Sequence, residues 1–247
     1  MWLVLCSSSD PSGLWVYEGL RQMGIAPVEL VLAEWLAYGS QWEHRLDTNG
    51  THLKITLQDG RVLCSSRIRG AINRLMAPSP GIAERAAASD KEYAQAELQA
   101  FYLSWLHGLP GVVINRPSAI GLCGSWLHPS EWVLRADRAG LPTPVFRQSG
   151  HDSPEKGYRS LAPDGAAILR LITFGGEVFG GQVPETTSRA CVRLAREAKT
   201  EMLGVELYLA GNGEWTFANA TPCPDLSAGG KPLLESLAHI LTAGGRP

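Results

Sequence analysis

A continuous apolar run at the start of the chain restricts the fold more than any other feature. Residues 2–6, "WLVLC", have the composition of a strand buried on both faces of a parallel sheet. The polar stretch "SSSDPSG" then leads into a helix that we predict over 12–23, and "PVELVL" at 27–32 predicts a second strand. A strand, a helix and a strand in this order indicate a doubly wound α/β unit.

In the following segment the spacing of apolar residues changes to strict alternation, which predicts an antiparallel hairpin. Residues 53–57 alternate between apolar and polar, Asp59-Gly60 provides the turn, and the chain returns through 62–64. Asp-Gly between two alternating runs is a strong hairpin signal. Beyond the hairpin we expect a long amphipathic helix over 84–107, a short buried strand in 111–117, and a helix that Ser130 caps and that runs to about Ala139.

The second half of the chain has an antiparallel pattern. Residues 147–165 form the most polar and turn-rich stretch. After it, Gly175-Gly176 predicts one hairpin and Ala210–Gly213 a second, with helices over about 188–202 and 231–242. We therefore expect an α/β protein with two domains. The first is a doubly wound domain over 1–118 that carries the inserted hairpin, and the second covers 119–247.

Composition excludes several classes of function. The net charge is −2 and basic residues form no long run, which argues against a nucleic-acid or anionic-membrane partner. The cysteines number five, an odd count, and none forms a Cys-x-x-Cys pair, so neither a disulfide framework nor a zinc site is expected. No apolar stretch reaches the length of a membrane helix, and "MWLVLC" is too short for a signal peptide. We expect a cytoplasmic protein.

Several short motifs follow one another in a defined order. The first half contains "SSRIRG", "VINRP" and "DRAGLPTP", and the second contains "ILRLITFGGEVF", "TSRACVRLAREAKTEML", "GVELYL" and "FANATP". This order resembles the ATP-grasp superfamily, in particular the ribosomal-protein glutamate ligases and the maturases of ribosomal peptides. The likeness covers most of the chain. It implies a Rossmann-like pre-ATP-grasp domain followed by a truncated ATP-grasp-like antiparallel sheet with helices.

The resemblance implies a demanding chemistry. An ATP-grasp ligase phosphorylates a carboxylate with ATP, and an amine then attacks the acyl phosphate. Carboxylates must hold Mg²⁺ beside the transferred phosphate, and lysines must hold the phosphates. Glu206 and Asn219 match two metal-ligand positions of the family, and Phe217 stands where a third, bridging glutamate is usual. Pairing across Ala210–Gly213 is expected to place Glu206 opposite Phe217, with Asn219 diagonal to it on the same face.

Three departures from the family point towards lost catalysis. Phe217 cannot ligate a cation, and the family lysine before "AGLPTP" falls at about Pro129–Ser130. About twenty polar residues near 147–165 replace the lid subdomain that covers ATP, and so short a stretch cannot build a packed layer. We therefore expect no cofactor and treat Glu206 and Asn219 as a relic metal site or a solvated strand face. ATP and Mg²⁺ are expected only for the alternative, an active carboxylate–amine ligase with a compact lid.

Other residues remain as ligand-binding candidates. Arg170 matches a family arginine that contacts phosphate or substrate, although an arginine on a sheet surface paired with a neighbouring acid fits equally well. Asn115 and Arg116 follow a parallel strand, where α/β folds usually bind ligands. Under the ligase alternative, Lys156 would also contact phosphate.

Two further motifs have competing explanations. "SSSDPSG" precedes a helix and fits either an anion cradle or simple N-capping, which we favour because the glycine-rich fingerprint is missing. Cys123 in "GLCGSW" superficially matches a cysteine-protease signature with His128 nearby, and a cysteine in a loop after a strand is the favoured interpretation.

The sequence therefore predicts a degenerate ATP-grasp-like protein without ligase activity. It would act as a binding, scaffold or accessory subunit in a biosynthetic or modification pathway, with a small-molecule or peptide ligand. A protein partner or a homo-oligomer is expected because loss of the lid would uncover the face of the C-terminal sheet.

Overall fold

The computed structural model describes residues 1–48, 50–79, 81, 86–147 and 161–243. They form two compact units, one from Met1–Gly124 together with the chain from Leu234 onward, and one from Ser125–Leu233. Our sequence-based division at 118 therefore falls before the structural one, and the last helix contributes mostly to the first unit. Leu234 packs so closely on Gly19 that a Cβ there would lie 2.6 Å from its Cδ1.

The first unit contains a parallel sheet and a smaller antiparallel sheet. Its strands are β1 (Trp2–Cys6), β2 (Val28–Leu32), β3 (Gln41–Asp47), β4 (Gly50–Thr56), β5 (Val62–Cys64), β6 (Gly70–Asn73) and β7 (Val112–Ile114). Its helices include α1 (Pro11–Gln22), α2 (Ala33–Ala37) and α3 (Lys91–His107). The parallel sheet has the order β2-β1-β6-β7, and the antiparallel sheet has the order β3-β4-β5.

The opening strand, helix and strand have the predicted arrangement. Strand β1 is buried along its whole length because it pairs with β2 on one side and β6 on the other. Helix α1 begins at Pro11, and the Asp10 side chain accepts a hydrogen bond of 3.1 Å from Ser12 N. The N-capping interpretation of "SSSDPSG" agrees with this geometry.

The inserted hairpin is present and has a third strand that the sequence did not reveal. Gly60 has a φ of 84°, as the Asp-Gly turn requires. Strand β3 extends this sheet, and the ring of Trp42 lies 5.0 Å from Phe101 and 5.6 Å from Trp105, measured between centroids. The helix that carries these aromatic residues begins at Lys91 and not at residue 84, after a short 3₁₀ turn.

The second unit is an antiparallel sheet with helices on one face. It contains α4 (Pro129–Arg138), β8 (Ile168–Phe174), β9 (Glu177–Phe179), α5 (Glu185–Glu197), β10 (Met202–Leu209) and β11 (Trp215–Thr221), and α6 (Gly230–Ala243) begins in it. The strand order is β11-β10-β8-β9. Gly175 and Gly176 have φ of 59° and 83°, so the predicted Gly-Gly turn joins β8 to β9. The α/β class predicted from the sequence is confirmed.

Two helix boundaries differ from the predictions. His128, not Ser130, caps α4, because His128 Nδ1 accepts a hydrogen bond from Ser130 N. Helix α5 ends at Glu197 rather than near 202, since Lys199 has a φ of 53° and the chain then enters β10. Met202 is therefore the first residue of the buried strand β10.

Helices α4 and α5 each donate arginine hydrogen bonds to the C-terminus of the other. Arg193 on α5 donates two hydrogen bonds to Ala139 O, of 2.9 and 2.6 Å, and Arg135 on α4 donates to Glu197 O. Cations at these ends stabilise the helix dipoles and satisfy carbonyls that no helical N–H reaches. Beneath the helices lies a core built from α4, α5 and the sheet. None of the helices in the described ranges is long and apolar enough to cross a membrane.

Candidate functional site

Three of the candidate residues lie in one row across the C-terminal sheet. Arg170 on β8 pairs with Glu206 on β10, which pairs with Asn219 on β11. Arg170 Nε lies 3.2 Å from Glu206 Oε1, and the side chains are 64% and 22% exposed. The guanidinium therefore neutralises the one acid of the row. Of the two explanations considered for Arg170, the structure shows the arginine paired with a neighbouring acid.

The predicted position of Phe217 is wrong. A β-bulge between β10 and β11 shifts the register, so Glu206 lies opposite Asn219 and Phe217 lies opposite Leu207. The extra residue in β11 turns Phe217 away from the Glu206 face. Phe217 is fully buried in the core beneath α4 and α5.

The bulge also anchors the chain on either side of the polar stretch. Phe217 N donates to Pro142 O at 2.8 Å, and Leu161 N donates to Ala218 O at 2.9 Å. The chain between Pro142 and Leu161 thus leaves and returns at neighbouring residues of β11. The expected short replacement of the lid lies mostly outside the described residues, because 148–160 belong to the part of the chain that is not described.

A cavity of about 220 Å³ opens beside the Arg170–Glu206 pair. Its lining includes Thr221, Cys223, Pro224 and Asp225. Asp225 is not among the residues predicted from the sequence, although "DLS" is a typical N-cap signal. Asp225 Oδ1 accepts hydrogen bonds from Ser227 N at 3.1 Å and Ser227 Oγ at 2.7 Å. The carboxylate is therefore engaged in capping the 3₁₀ turn that follows it.

These residues do not fit a magnesium–nucleotide site. Within the described ranges, no group of three or more His, Cys, Asp or Glu side chains is placed to hold a metal ion. Glu206 is neutralised by Arg170, Asp225 caps a turn, and no lysine occurs among the described residues that line the cavity. Hard cations such as Mg²⁺ need several oxygen ligands, and phosphates need cationic partners.

Asn115 and Arg116 lie in the other unit, after β7. Asn115 is only 2% exposed, with a φ of 58°, and Asn73 Nδ2 donates to its carbonyl at 2.9 Å. Arg116 Nη2 donates to Gly111 O at 2.8 Å. Asn115 is thus part of a buried hydrogen-bond network, while Arg116, which is half-buried, is the more accessible candidate of the two.

The loop after β1 satisfies its polar groups internally. Asp10 forms a bidentate pair with Arg74, at 2.6 and 3.0 Å, and these side chains are only 15% and 6% exposed. Ser8 N and Oγ donate to the carboxylate of Glu34. Because these N–H and O–H donors already bond to carboxylates of the same chain, they are not available to bind an anion.

Cys123 and His128 have separate structural roles. Cys123 is fully buried, and its thiol donates to Asn73 O at 3.0 Å. His128 caps α4, with its Nδ1 2.8 Å from Ser130 Oγ. A nucleophile must be accessible and must contact its base, so this geometry does not support a Cys123–His128 catalytic pair.

Thiol labelling checks this arrangement. Cys64 and Cys223 are half-buried, whereas the other three cysteines are buried, and burial raises the pKa of Cys191 to about 12. We expect Cys64 and Cys223 to react first with Ellman's reagent in the native protein, and Cys123 only on unfolding. The Cys123→Ser variant serves as the control. Rapid native-state labelling that this variant lacks would contradict the buried position of Cys123.

No protein-family model matches the chain, and neither does any curated protein in a sequence search. Solved structures do match it. The macrocyclase MdnC of Microcystis aeruginosa MRC, bound with the precursor peptide MdnA, has a TM-score of 0.73 at 14% identity, over 98% of this chain and 100% of that one. The chain has an ATP-grasp-like fold. The resemblance inferred from motif order is confirmed at the level of the fold.

Two further ATP-grasp structures match over nearly their whole length. A Chryseobacterium gregarium RiPP-associated ATP-grasp ligase, in complex with ADP and a leader and core peptide, has a TM-score of 0.71 at 10% identity, over 98% of this chain and 96% of that one. The ATP-grasp ligase PsnB, complexed with minimal precursor, Mg and ADP, has a TM-score of 0.68 at 14% identity, over 98% and 97%. At these identities the fold is shared, and the site must be judged from the residues present.

Proposed function

We propose that this protein binds a peptide in a peptide-modification pathway, as a binding, scaffold or accessory subunit, and does not itself ligate. The observation that carries the proposal is the Arg170–Glu206 ion pair. Arg170 neutralises Glu206, the acid that a metal would need. The residue opposite Glu206 on β11 is Asn219, an amide. Phe217 supplies no ligand because it lies in the core.

The shared fold supports a peptide ligand. The MdnC, PsnB and Chryseobacterium structures all contain precursor, leader or core peptides, and this chain matches each of them over almost its entire length. The cavity beside Arg170 offers a cation, two carboxylates and the hydroxyl of Thr221. Such a lining suits peptide side chains and main-chain groups better than a polyphosphate, because Arg170 is the only basic residue among the described residues of the cavity and already pairs with Glu206.

Loss of ATP binding is supported by the chain between Pro142 and Leu161. Both ends of this segment bond to the bulge of β11, and the residues between them are too few to build a packed layer over a nucleotide. Without such a cover, a bound triphosphate would stay hydrated, and fixed charges would stabilise it less.

Thermal unfolding with Mg-ATP tests the proposal. A ligand that binds only the native state at a hundredfold excess over its Kd stabilises it by about 2.7 kcal/mol, which raises Tm by several degrees. We expect no Mg²⁺-dependent shift at millimolar ATP. A clear shift that disappears in Glu206→Ala, with native-like unfolding of the unliganded variant, would overturn the proposal.

One observation favours the alternative of an active carboxylate–amine ligase. Asp225 lines the same cavity as Glu206 and would be a second carboxylate in place of the missing bridging glutamate. That assignment requires ATP stabilisation to be lost in both Glu206→Ala and Asp225→Ala. Stabilisation by ATP that needs neither acid would reflect a site elsewhere in the chain and would exclude this alternative.

A further inference from the structure

One face of the antiparallel sheet packs on α3 through aromatic side chains. The ring of Trp42 on β3 lies 5.0, 5.7 and 5.6 Å from the rings of Phe101, Tyr102 and Trp105, measured between centroids. We call these four side chains the aromatic cluster. In the described part of the chain, β3 pairs with β4 and with no other strand. The position of β3 therefore depends on two contacts, with β4 along one edge and with α3 on one face.

His44 lies on the same face of the sheet as the aromatic cluster. It follows Trp42 by two residues, and its ring lies 5.8 Å from that of Phe101 at an angle of 84°. Its Nε2 atom is buried, and none of the described residues provides a hydrogen-bond partner for it. A neutral imidazole carries one N–H group, whereas a protonated imidazole carries an N–H on both nitrogens. Protonation of His44 therefore creates a buried N–H group without an acceptor, which costs free energy.

No carboxylate among the described residues compensates the charge of a protonated His44. The titratable and charged residues of the elements packed together here are Glu43, Arg45 and Asp47 of β3, His52 and Lys54 of β4, and Lys91, Glu92, Tyr93, Glu97, Tyr102 and His107 of α3. Those of β3 and β4 point to the opposite face, because His44 pairs with Leu53. Those of α3 are exposed except Tyr102, whose pKa is raised by burial so that the phenol stays neutral. Burial lowers the pKa of His44.

The contact between β3 and α3 contains two more polar atoms without partners. Tyr102 Oη and Trp105 Nε1 are buried, and neither has a hydrogen-bond partner among the described residues. By contrast, Trp42 Nε1 donates to Leu36 O at 3.1 Å. Unpaired buried polar groups reduce the stability gained by packing. The contact is therefore less stable than an apolar one of the same size, and a modest added cost is sufficient to open it locally.

We propose that the contact between β3 and α3 is an acid-sensitive switch, in which protonation of His44 releases β3 from the helix and exposes the aromatic cluster. Because the pKa of His44 in the folded state lies below the ordinary value of about 6.5, the contact has its full stability above that pH. It loses stability as the pH falls through the lowered pKa. The switch is independent of the cavity beside Arg170, which lies in the other unit.

Hydrogen exchange of the full chain at pH 7 and pH 5 tests this switch. Rates are corrected for the intrinsic pH dependence of amide exchange, and the peptide that covers Gln41–Asp47 reports on β3. We expect a several-fold lower protection factor at pH 5 in the wild type. His44→Phe retains an aromatic ring but cannot be protonated, so its protection factor should be equal at the two pH values. His52→Phe is the matched control, because His52 is exposed on the opposite face of the neighbouring strand.

Each outcome decides for or against the proposal. Loss of protection at pH 5 in the wild type and in His52→Phe, but not in His44→Phe, is the expected result. Equal protection of the wild type at both pH values overturns the proposal. A loss at pH 5 that persists in His44→Phe also overturns it and assigns the titration to another group. Circular dichroism checks that each variant is folded, and His44→Leu replaces His44→Phe, with the same two outcomes, where the phenylalanine is not accommodated.

Discussion

Phe217→Glu is expected to unfold the second unit and not to restore a metal site. Phe217 is fully buried against the core of α4 and α5. Truncation of a buried phenylalanine to alanine costs about 3–5 kcal/mol, and an unpaired buried carboxylate adds several more. Since domains are stable by only about 5–15 kcal/mol, this change consumes most or all of the stability. We expect the cooperative thermal transition, as measured by circular dichroism, to be lost.

Two variants serve as controls for this prediction. Asn219→Glu places a carboxylate on the opposite face of β11, where it is half-buried beside Glu206 and Arg170. This variant should fold, and Phe217→Leu should lose only about 1 kcal/mol. A folded Phe217→Glu protein that gains Mg²⁺-dependent ATP binding would show that the register with the bulge is wrong.

Separation of the buried Asp10–Arg74 pair should produce the second large loss of stability. Asp10 also caps α1, so Asp10→Ala removes the carboxylate that pairs with the charged, buried Arg74 and also removes a helix cap. We expect a decrease of about 3–5 kcal/mol in the free energy of unfolding from the broken pair, with about 1 kcal/mol more from the cap. Urea unfolding of the full chain measures both contributions.

Comparison of variants separates the charge from the cap. Asp10→Asn retains a capping oxygen and should lose less stability than Asp10→Ala. Glu18→Ala, which breaks an exposed pair with Arg21, should change stability by at most about 0.5 kcal/mol. Equal effects of Asp10→Ala and Glu18→Ala would show that the Asp10–Arg74 pair is not buried in solution.

Local signals predicted much of the fold. The Asp59-Gly60 and Gly175-Gly176 turns followed from residues that adopt positive φ without strain, and β1 followed from an uninterrupted apolar run. Strand β3 was missed although Gln41–Asp47 has polar residues at every second position, because His44 interrupts the apolar series and Trp42 packs on Phe101 of α3, a helix distant in sequence. Its role depends on a tertiary contact that no local pattern shows.

Less of the candidate site than of the fold could be predicted from the sequence. The order of the strands is enough to bring Arg170, Glu206 and Asn219 into one row. The prediction assumed regular pairing of β10 with β11, without the bulge. The bulge places the buried Phe217 opposite Leu207 and not opposite Glu206, and no local pattern in the sequence indicated it. Phe217 therefore lies on the core face of β11 and not on the face that carries Glu206. The Asp10–Arg74 pair joins residues far apart in the chain, and no spacing rule would have found it.

The most direct test of the central claim is a calorimetric titration of ATP into the full chain at saturating Mg²⁺. Wild type and Glu206→Ala are compared under identical conditions. Because Arg170 neutralises Glu206 and the described residues that line the cavity include no lysine, we expect no saturable heat up to millimolar ATP in either protein. Saturable, Mg²⁺-dependent binding in the wild type that is lost in Glu206→Ala would contradict the account and show that the nucleotide site is intact.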